Sequence, residues 1–589
     1  MIATEQKERI LFGRRVRARD GVELATDVYL PDDDTPRPAI VVRTPYGRNL
    51  PFLLRLASQL RLRGYAVVTQ DSRGRYQSQG VYNLETEERD TFDTLEWLGE
   101  QTWADGRVAL IGISITGYPN LLAAAAPPPA GVEICALINI MGAVDHYSMF
   151  YRGGALVHHW ALPWTTMMGS SEAGRTRWLQ QPWAQLLRHL PLVEAPDRAG
   201  ADGAFWRTVV TYPAYVEFWR QMNALERIGR IPVPTLHLSG WYDFMLGQTL
   251  MAYRQAGLAA EPGDPPQRLA IGPWDHRTTF TSFVLGGDGT DERSKVDLLE
   301  LAVAWFDRWL GDPERARRAE ANLAGQPPVQ LFVAGLESWL GSESFPPAGV
   351  SVEDWYLVSG GSANTLGGDG RLQPEQPLRL GQDSFAYDPT DPVPTTGGAI
   401  WPLVSLLQPG PAAQLAVERR PDVLVYSSPP LAADKTAVGF LEVELWASTS
   451  ARDTDFTAKL VDVDPQGVPR IVQDGIQRGR FVVSAEREQL LDPHRPYRFL
   501  IRMEATAHCF RAGHRIRLEV SSSNFPKFDR NLNTALPFHT ATEGMVAQQT
   551  VYHGGAMPSR LRLPVLPPEV VESLLWQPPS AGPSWEVGT

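Results

Sequence analysis

Short apolar runs and amphipathic stretches alternate through the first 146 residues. Residues 22–29 and 39–42 have the β-branched and apolar character of strands, residues 52–63 suit a helix, and residues 66–70 form another strand-like run. In residues 87–100 the apolar positions Phe92, Leu95 and Leu98 recur every three residues, which predicts a helix. An apolar run at 108–113 follows the Asp105-Gly106 turn and predicts a strand, as do residues 134–140, 235–238 and 268–271. Such alternation predicts a mainly parallel sheet, because parallel neighbours need a long crossover and a helix on either face supplies it.

Between residues 147 and 230 the alternation stops. A stretch containing Trp160, Trp164, Trp178, Trp183, Trp206 and Trp219 takes over with helix-like spacing, which predicts an inserted helical cap. Alternation resumes at 231 and ends in a helix over 296–310, with Leu298, Leu301, Trp305 and Trp309 on one face. After Pro346-Pro347 the pattern is β-like, with segments 355–358, 439–447, 456–461, 497–503 and 515–520 between Gly, Pro and Asp turns. The expected plan is an α/β domain in two parts (1–146 and 231–345), a cap (147–230) and a β-sandwich (346–589). A chain of 589 residues is too long for one core, so several domains are expected.

Composition narrows the function. With 43% hydrophobic and 21% charged residues the chain reads as an ordinary soluble protein, and its net charge of −12 argues against nucleic acid as a partner. No apolar run reaches the ~20 residues of a membrane helix, and the first residues lack the apolar core of a signal peptide, so no membrane partner and a cytoplasmic location are expected. Cys135 and Cys509 read as buried free thiols. His158 and His159 are adjacent, so on a helix they diverge, and no metal site is expected there.

Candidate chemistry begins at Val108-Ala-Leu-Ile-Gly-Ile-Ser114-Ile-Thr-Gly117, a strand entering a small-residue turn and then an apolar helical stretch at 121–126. A serine lifted on such a turn needs small neighbours, here Gly112 and Gly117, and the turn aims the Ile115 amide where an oxyanion would form. Thr116 breaks the usual Gly-x-Ser-x-Gly spacing, and Gly349-Val350-Ser351 shows how cheaply Gly-x-Ser arises. A serine hydroxyl also needs a histidine base and a carboxylate to orient it. Asp243 ends the strand-like run from Val233, and His276 ends the one from Leu269, in the chain order of an α/β-hydrolase. Asp275 is a rival acid, but adjacent side chains on extended backbone point apart.

These motifs resemble the cocaine-esterase and X-Pro dipeptidyl peptidase family of α/β-hydrolases over nearly the whole chain. The resemblance is carried by Arg19-Asp-Gly-Val-Glu-Leu-Ala-Thr-Asp-Val-Tyr29, Arg43-Thr-Pro-Tyr-Gly47, Asp71-Ser-Arg-Gly-Arg-Tyr-Gln-Ser-Gln-Gly80, Gly240-Trp-Tyr-Asp243, Gly272-Pro-Trp-Asp-His276 and Trp355-Tyr-Leu-Val-Ser-Gly-Gly361. It implies an α/β-hydrolase fold with an inserted cap and a C-terminal jelly roll, with Ser114 as nucleophile, Asp243 and His276 completing a triad, and the Tyr46 hydroxyl as half of the oxyanion hole. Arg73 would brace the loop bordering the site. Where the family usually has tyrosine after the nucleophile, Ile115 stands here, so its amide alone would serve the oxyanion.

Relatives that take α-amino acid esters hold the ammonium with carboxylates, partly just after the triad acid. Here Phe244, Met245 and Leu246 follow Asp243, and residues 147–156 contain no carboxylate. A buried ammonium without a partner is costly, so an apolar or aromatic acyl group is expected, with Met245, Met149, Phe150 and Trp401 as candidate pocket walls. The expected activity is hydrolysis of a small-molecule carboxylic ester through an acyl-enzyme, without a cofactor. Amide hydrolysis, acyl transfer and a non-catalytic binding role stay open, as does assembly as a homodimer.

Overall fold

The computed structural model describes residues 9–577, apart from 171, 230, 259–263, 278–283, 286–293 and 403–405. Side chains of successive strand residues leave opposite faces, and the apolar runs use this. Val41, Val68 and Leu110 enter one buried layer while Ile40, Val42, Val67 and Ile111 enter the other. The strands β1 (Arg9–Arg17), β2 (Glu23–Leu30), β3 (Arg37–Thr44), β4 (Ala66–Asp71), β5 (Ala104–Ile113), β6 (Glu133–Ile140), β7 (Thr235–Gly240), β8 (Gln267–Gly272), β9 (Val329–Val333) and β10 (Ser338–Ser342) share one sheet with the short strand Leu575–Trp576. Its order is β1-β2-β4-β3-β5-β6-β7-β8-β9-β10, then Leu575–Trp576. Neighbours from β4 to β9 run parallel and the outer pairs antiparallel. The parallel sheet expected from the alternation is therefore present, as the centre of a mixed one.

Helices α1 (Pro51–Leu62), α2 (Leu84–Gly99), α3 (Gly117–Ala125), α4 (His158–Met168), α5 (Leu246–Leu258) and α6 (Leu298–Leu310) follow in chain order. Leu53, Leu56 and Leu60 of α1 join Trp305 and Phe306 of α6 on one face, while Leu95 and Leu98 of α2 join Leu121 and Leu122 of α3 on the other. Fully burying a side chain of this size stabilises the fold by about 1.5–3 kcal/mol. Local chemistry moves some ends from their expected positions. Asp297 accepts hydrogen bonds from the amides of Leu299 (2.9 Å) and Glu300 (3.0 Å), so α6 starts at Leu298 rather than 296. Asn83 caps α2 through the Glu85 amide at 3.0 Å, which starts that helix at Leu84. Helix α3 begins at Gly117 rather than 121, straight out of the turn that follows β5.

Short helices occupy most of the segment between β6 and β7, and their tryptophans Trp160, Trp164, Trp178, Trp183, Trp206 and Trp219 are all buried. The second large sheet closes on itself, because the long strand Lys435–Thr449 pairs with Tyr497–Phe510, Ala547–His553 and Arg560–Leu566. Its core is apolar and its own. It is tied to the first sheet by Ala334, which accepts from the Cys509 amide (2.8 Å) and donates to Ala507 (3.1 Å). It is tied to the cap by Asp529, which accepts from the Leu156 amide (2.8 Å) and from buried Arg478 (2.9 Å). Of the two thiols expected to be buried, only Cys509 is; Cys135 is half-buried, because it lies at the start of β6 rather than in its covered middle. No helix among the described residues is long and apolar enough to cross a membrane.

Burial holds several histidines neutral. Desolvation lowers the pKa of His146 and His237 to about 4 and that of His159 to about 3. In the unfolded chain each takes up a proton near pH 6.5. Between pH 6.5 and about 4 the unfolded state therefore binds more protons, and stability is lost as pH falls through that window. A His237→Gln variant is expected to show a shallower fall of the denaturation midpoint between pH 7 and 4.5 than the unsubstituted protein. Parallel curves would contradict this.

Candidate active site

The turn after β5 holds a strained residue. Ser114 has φ of +59°, in the left-handed region that costs a residue with a Cβ about 1–3 kcal/mol. Close packing compels the conformation. A Cβ on Gly112 would stand 2.9 Å from Gly117 Cα, and one on Gly117 would stand 2.6 Å from both Asn139 Oδ1 and Gly142 Cα, so only glycine lets β5, α3 and the end of β6 approach this closely. Thr116, the residue that departs from the usual spacing, brackets the turn. Its hydroxyl donates to the Ile113 carbonyl (2.9 Å) and accepts from the Ile113 amide (2.9 Å), while the Ser114 carbonyl accepts from Ala143 (2.9 Å).

The carboxyl ends of β5, β7 and β8 converge on this serine. The Ser114 hydroxyl lies 3.0 Å from His276 Nε2, and His276 Nδ1 lies 2.7 Å from Asp243 Oδ2. Because the carboxylate accepts at Nδ1, that nitrogen carries the proton and Nε2 is left to accept from the serine. The second Asp243 oxygen accepts from the Met245 amide at 2.5 Å, so both oxygens are committed. Asp243, His276 and Ser114 are 0%, 2% and 4% exposed, which keeps these interactions out of bulk water. Phe244 sets its ring edge-on to the imidazole, with centroids 4.9 Å apart. Asp275 instead pairs with Arg277 at 2.9 Å.

Tyr46 meets this group from the loop after β3. Its hydroxyl accepts from Trp164 Nε1 of the cap at 3.0 Å and is hydrogen-bonded to Ser114. Burial raises its pKa while the Trp164 and Ser114 hydrogen bonds lower it; the net shift is upward, so the phenol keeps its proton at neutral pH. Ile115 lies in the turn beside Ser114, among the N-terminal amides that a helix leaves without internal partners.

The residues singled out as pocket walls are all buried in one cluster with Phe244, Trp160 and Trp164. Met245 reaches the serine, its Sδ 3.6 Å from Ser114 Oγ. Phe150 packs on Trp160 (4.7 Å between centroids) and Trp164 (6.2 Å). Trp401 enters from the second large sheet's unit, its amide donating to His159 Nε2 at 2.8 Å and its ring lying 6.0 Å from Trp178. Met149 is buried in the same cluster. His158 and His159 turn to different partners, Leu187 and Lys527, and no group of three or more His, Cys, Asp or Glu among the described residues is gathered as a metal site. Arg73 pairs with Asp90 (2.6 Å) and Asp20 (2.7 Å), which makes it a brace for its loop.

Sequence reasoning passed over Arg75 and the hydrogen bond of Trp164. Arg75 is buried and donates to the carbonyls of Pro45 (3.0 Å), Met167 (3.3 Å) and Met168 (3.0 Å). It thereby ties the Tyr46 loop to the last turn of α4. The Arg73-Gly74-Arg75 motif was the one signal for it.

Comparison with known proteins identifies the family and the fold. Residues 20–278 match the model of the X-Pro dipeptidyl-peptidase (S15) family, and residues 322–562 match its C-terminal non-catalytic domain. The chain is 34% identical to the cocaine esterase of Rhodococcus sp. (strain MB1 Bresler), over 94% of this chain and 97% of that protein. It shares its fold with a solved α-amino acid ester hydrolase (TM-score 0.80, 24% identity, 96% and 98% coverage). It shares it equally with an aminopeptidase from a marine sediment Thaumarchaeota archaeon (TM-score 0.79, 23% identity, 96% and 98% coverage).

The packing around the turn generates a test. Gly117→Ala is expected to lower stability by about 1–3 kcal/mol through overpacking against backbone, and to lower esterase activity with it. Denaturation and initial rates on a short aryl ester check this; a variant matching the unsubstituted protein in both would contradict the close approach described.

Proposed function

We propose a chemistry for this chain from one premise: it belongs to the cocaine-esterase and X-Pro dipeptidyl-peptidase (S15) family of serine hydrolases. It hydrolyses a carboxylic ester with an apolar or aromatic acyl group, through a covalent acyl-enzyme on Ser114. The observation that carries this is the line of hydrogen bonds Ser114–His276–Asp243 closing against an apolar wall, with Met245 Sδ 3.6 Å from the nucleophile.

In the first half-reaction His276 Nε2 takes the hydroxyl proton as Ser114 Oγ attacks the carbonyl carbon, and Asp243 stabilises the imidazolium that forms. The oxyanion accepts from the Tyr46 hydroxyl and the Ile115 amide. These donors are fixed before charge develops, so no solvent or protein has to reorganise around it. His276 then protonates the departing alkoxide, and the same nitrogen activates water for deacylation. Phe150 and Met149 from the cap, with Met245 and Trp401, supply a largely apolar acyl pocket. An α-ammonium group would be stranded there, because Phe244, Met245 and Leu246 follow Asp243 and residues 147–156 hold no carboxylate.

The relative with 34% identity is a cocaine esterase, which favours ester over amide cleavage as the reading. Amide cleavage after a proline remains the competing reading, since the matching family is named for it. Ser114→Ala is expected to abolish turnover of p-nitrophenyl esters, and Asp243→Asn to lower kcat by about 10⁴-fold through the wrong histidine tautomer. Substrate choice is read from a panel of p-nitrophenyl benzoate, p-nitrophenyl esters of free α-amino acids and X-Pro anilides. The aryl ester is expected to be turned over with the highest kcat/KM. Preference for an α-amino ester or an X-Pro anilide would overturn the pocket assignment, and an inactive unsubstituted protein would overturn the reaction itself.

A further inference from the structure

The oxyanion donor proposed above is held by a residue of the cap. A phenol has one proton and two lone pairs, whereas an indole N–H can only donate. Trp164 Nε1 donates to the Tyr46 oxygen at 3.0 Å, so one lone pair is occupied and the Tyr46 proton has to point away from the indole. A hydrogen bond received by the phenol oxygen also polarises its O–H, strengthening the bond it gives.

The indole is not free to turn away. Trp164 is 1% exposed and stacks on Trp160 with centroids 5.3 Å apart and planes at 19°. Phe205 and Tyr82 meet it edge-on at 5.8 and 6.4 Å, and Phe150 lies at 6.2 Å. The Tyr46 side is fixed as well. Arg75 joins the Pro45 carbonyl to those of Met167 and Met168, at the end of the helix that carries Trp164. A cation at that end also complements the helix dipole. The loop and the helix are thus joined at both the side chain and the backbone.

We infer that Trp164 is a positioning residue: its indole N–H orients and polarises the Tyr46 hydroxyl, so that the oxyanion hole is complete only while α4 of the cap is docked. This rests on the reading of Tyr46 as an oxyanion donor. It gives the cap a part in the chemical step that is separate from lining the acyl pocket. Loss of the N–H should weaken binding of the transition state and leave binding of the substrate largely unchanged.

The test compares kcat and KM for p-nitrophenyl benzoate in the unsubstituted protein, Trp164→Phe, Tyr46→Phe and the double variant. Trp164→Phe keeps an aromatic ring and removes the donor, and kcat is expected to fall by about three- to tenfold, the worth of one such hydrogen bond, with KM little changed. Tyr46→Phe is expected to lower kcat by about 10²-fold. The double variant is expected to match Tyr46→Phe, because Trp164 acts through the hydroxyl that is then missing. Phenylboronic acid, which adds to the serine as a tetrahedral anion, should bind Trp164→Phe more weakly by the same factor as kcat falls, while benzoate binding holds. A second variant, Arg75→Lys, leaves the indole in place and is expected to lower kcat in the Tyr46 background but not in the Tyr46→Phe background. The inference is overturned if Trp164→Phe keeps full kcat, or lowers it by the same factor whether or not the Tyr46 hydroxyl is present. If Tyr46→Phe itself keeps full kcat, the oxyanion reading falls and the inference falls with it; a normal drop in Tyr46→Phe beside an unaffected Trp164→Phe removes the inference alone.

Discussion

A serine held at a positive φ between two glycines is the constraint on which the rest of the site is built. The strain at Ser114 persists only because β5, α3 and the end of β6 meet where Gly112 and Gly117 have no Cβ, and because Thr116 pins both ends of the turn through one hydroxyl. The side chain then stands clear of the sheet, where the loops after β7 and β8 deliver Asp243 and His276. Parallel strands bring the same kind of end to the same edge, which is why residues 129 and 162 positions after Ser114 can meet it.

The other two parts of the chain act on that edge from above. The cap supplies Trp160, Trp164 and Phe150, and the loop after β3 is fastened to it by Arg75. The second large sheet reaches in through Trp401, whose amide is received by the neutral imidazole of His159. His159 in turn donates to the Lys527 carbonyl, so one buried histidine ties the cap to two segments of the C-terminal unit. Closure by apolar groups from several segments would keep water from the charges that develop in the proposed acyl transfer.

Much of this was legible in residue order. Alternating strand and helix patterns declared the parallel sheet, and the ends of the runs from Val108, Val233 and Leu269 carried a serine, a carboxylate and an imidazole in sequence. What stayed hidden depends on contacts between segments far apart in the chain. Thr116 looked like a flaw in the turn until its hydroxyl was found bridging Ile113. Trp164 was one of several cap tryptophans, and nothing local distinguishes an indole that donates to Tyr46 from one that donates to a carbonyl, as Trp178 does to Pro163. Helix ends moved for a similar reason: the caps Asn83 and Asp297 are set by side-chain geometry rather than by apolar period.

The central claim is that Ser114 is the nucleophile, activated by its setting. Its most direct measurement is mass-spectrometric mapping of the protein after brief treatment with a fluorophosphonate at neutral pH. The account predicts a single stoichiometric phosphonyl adduct on the peptide containing Ser114, absent when Asp243 and His276 are both replaced. An adduct on another residue, or none on a folded protein, would contradict it.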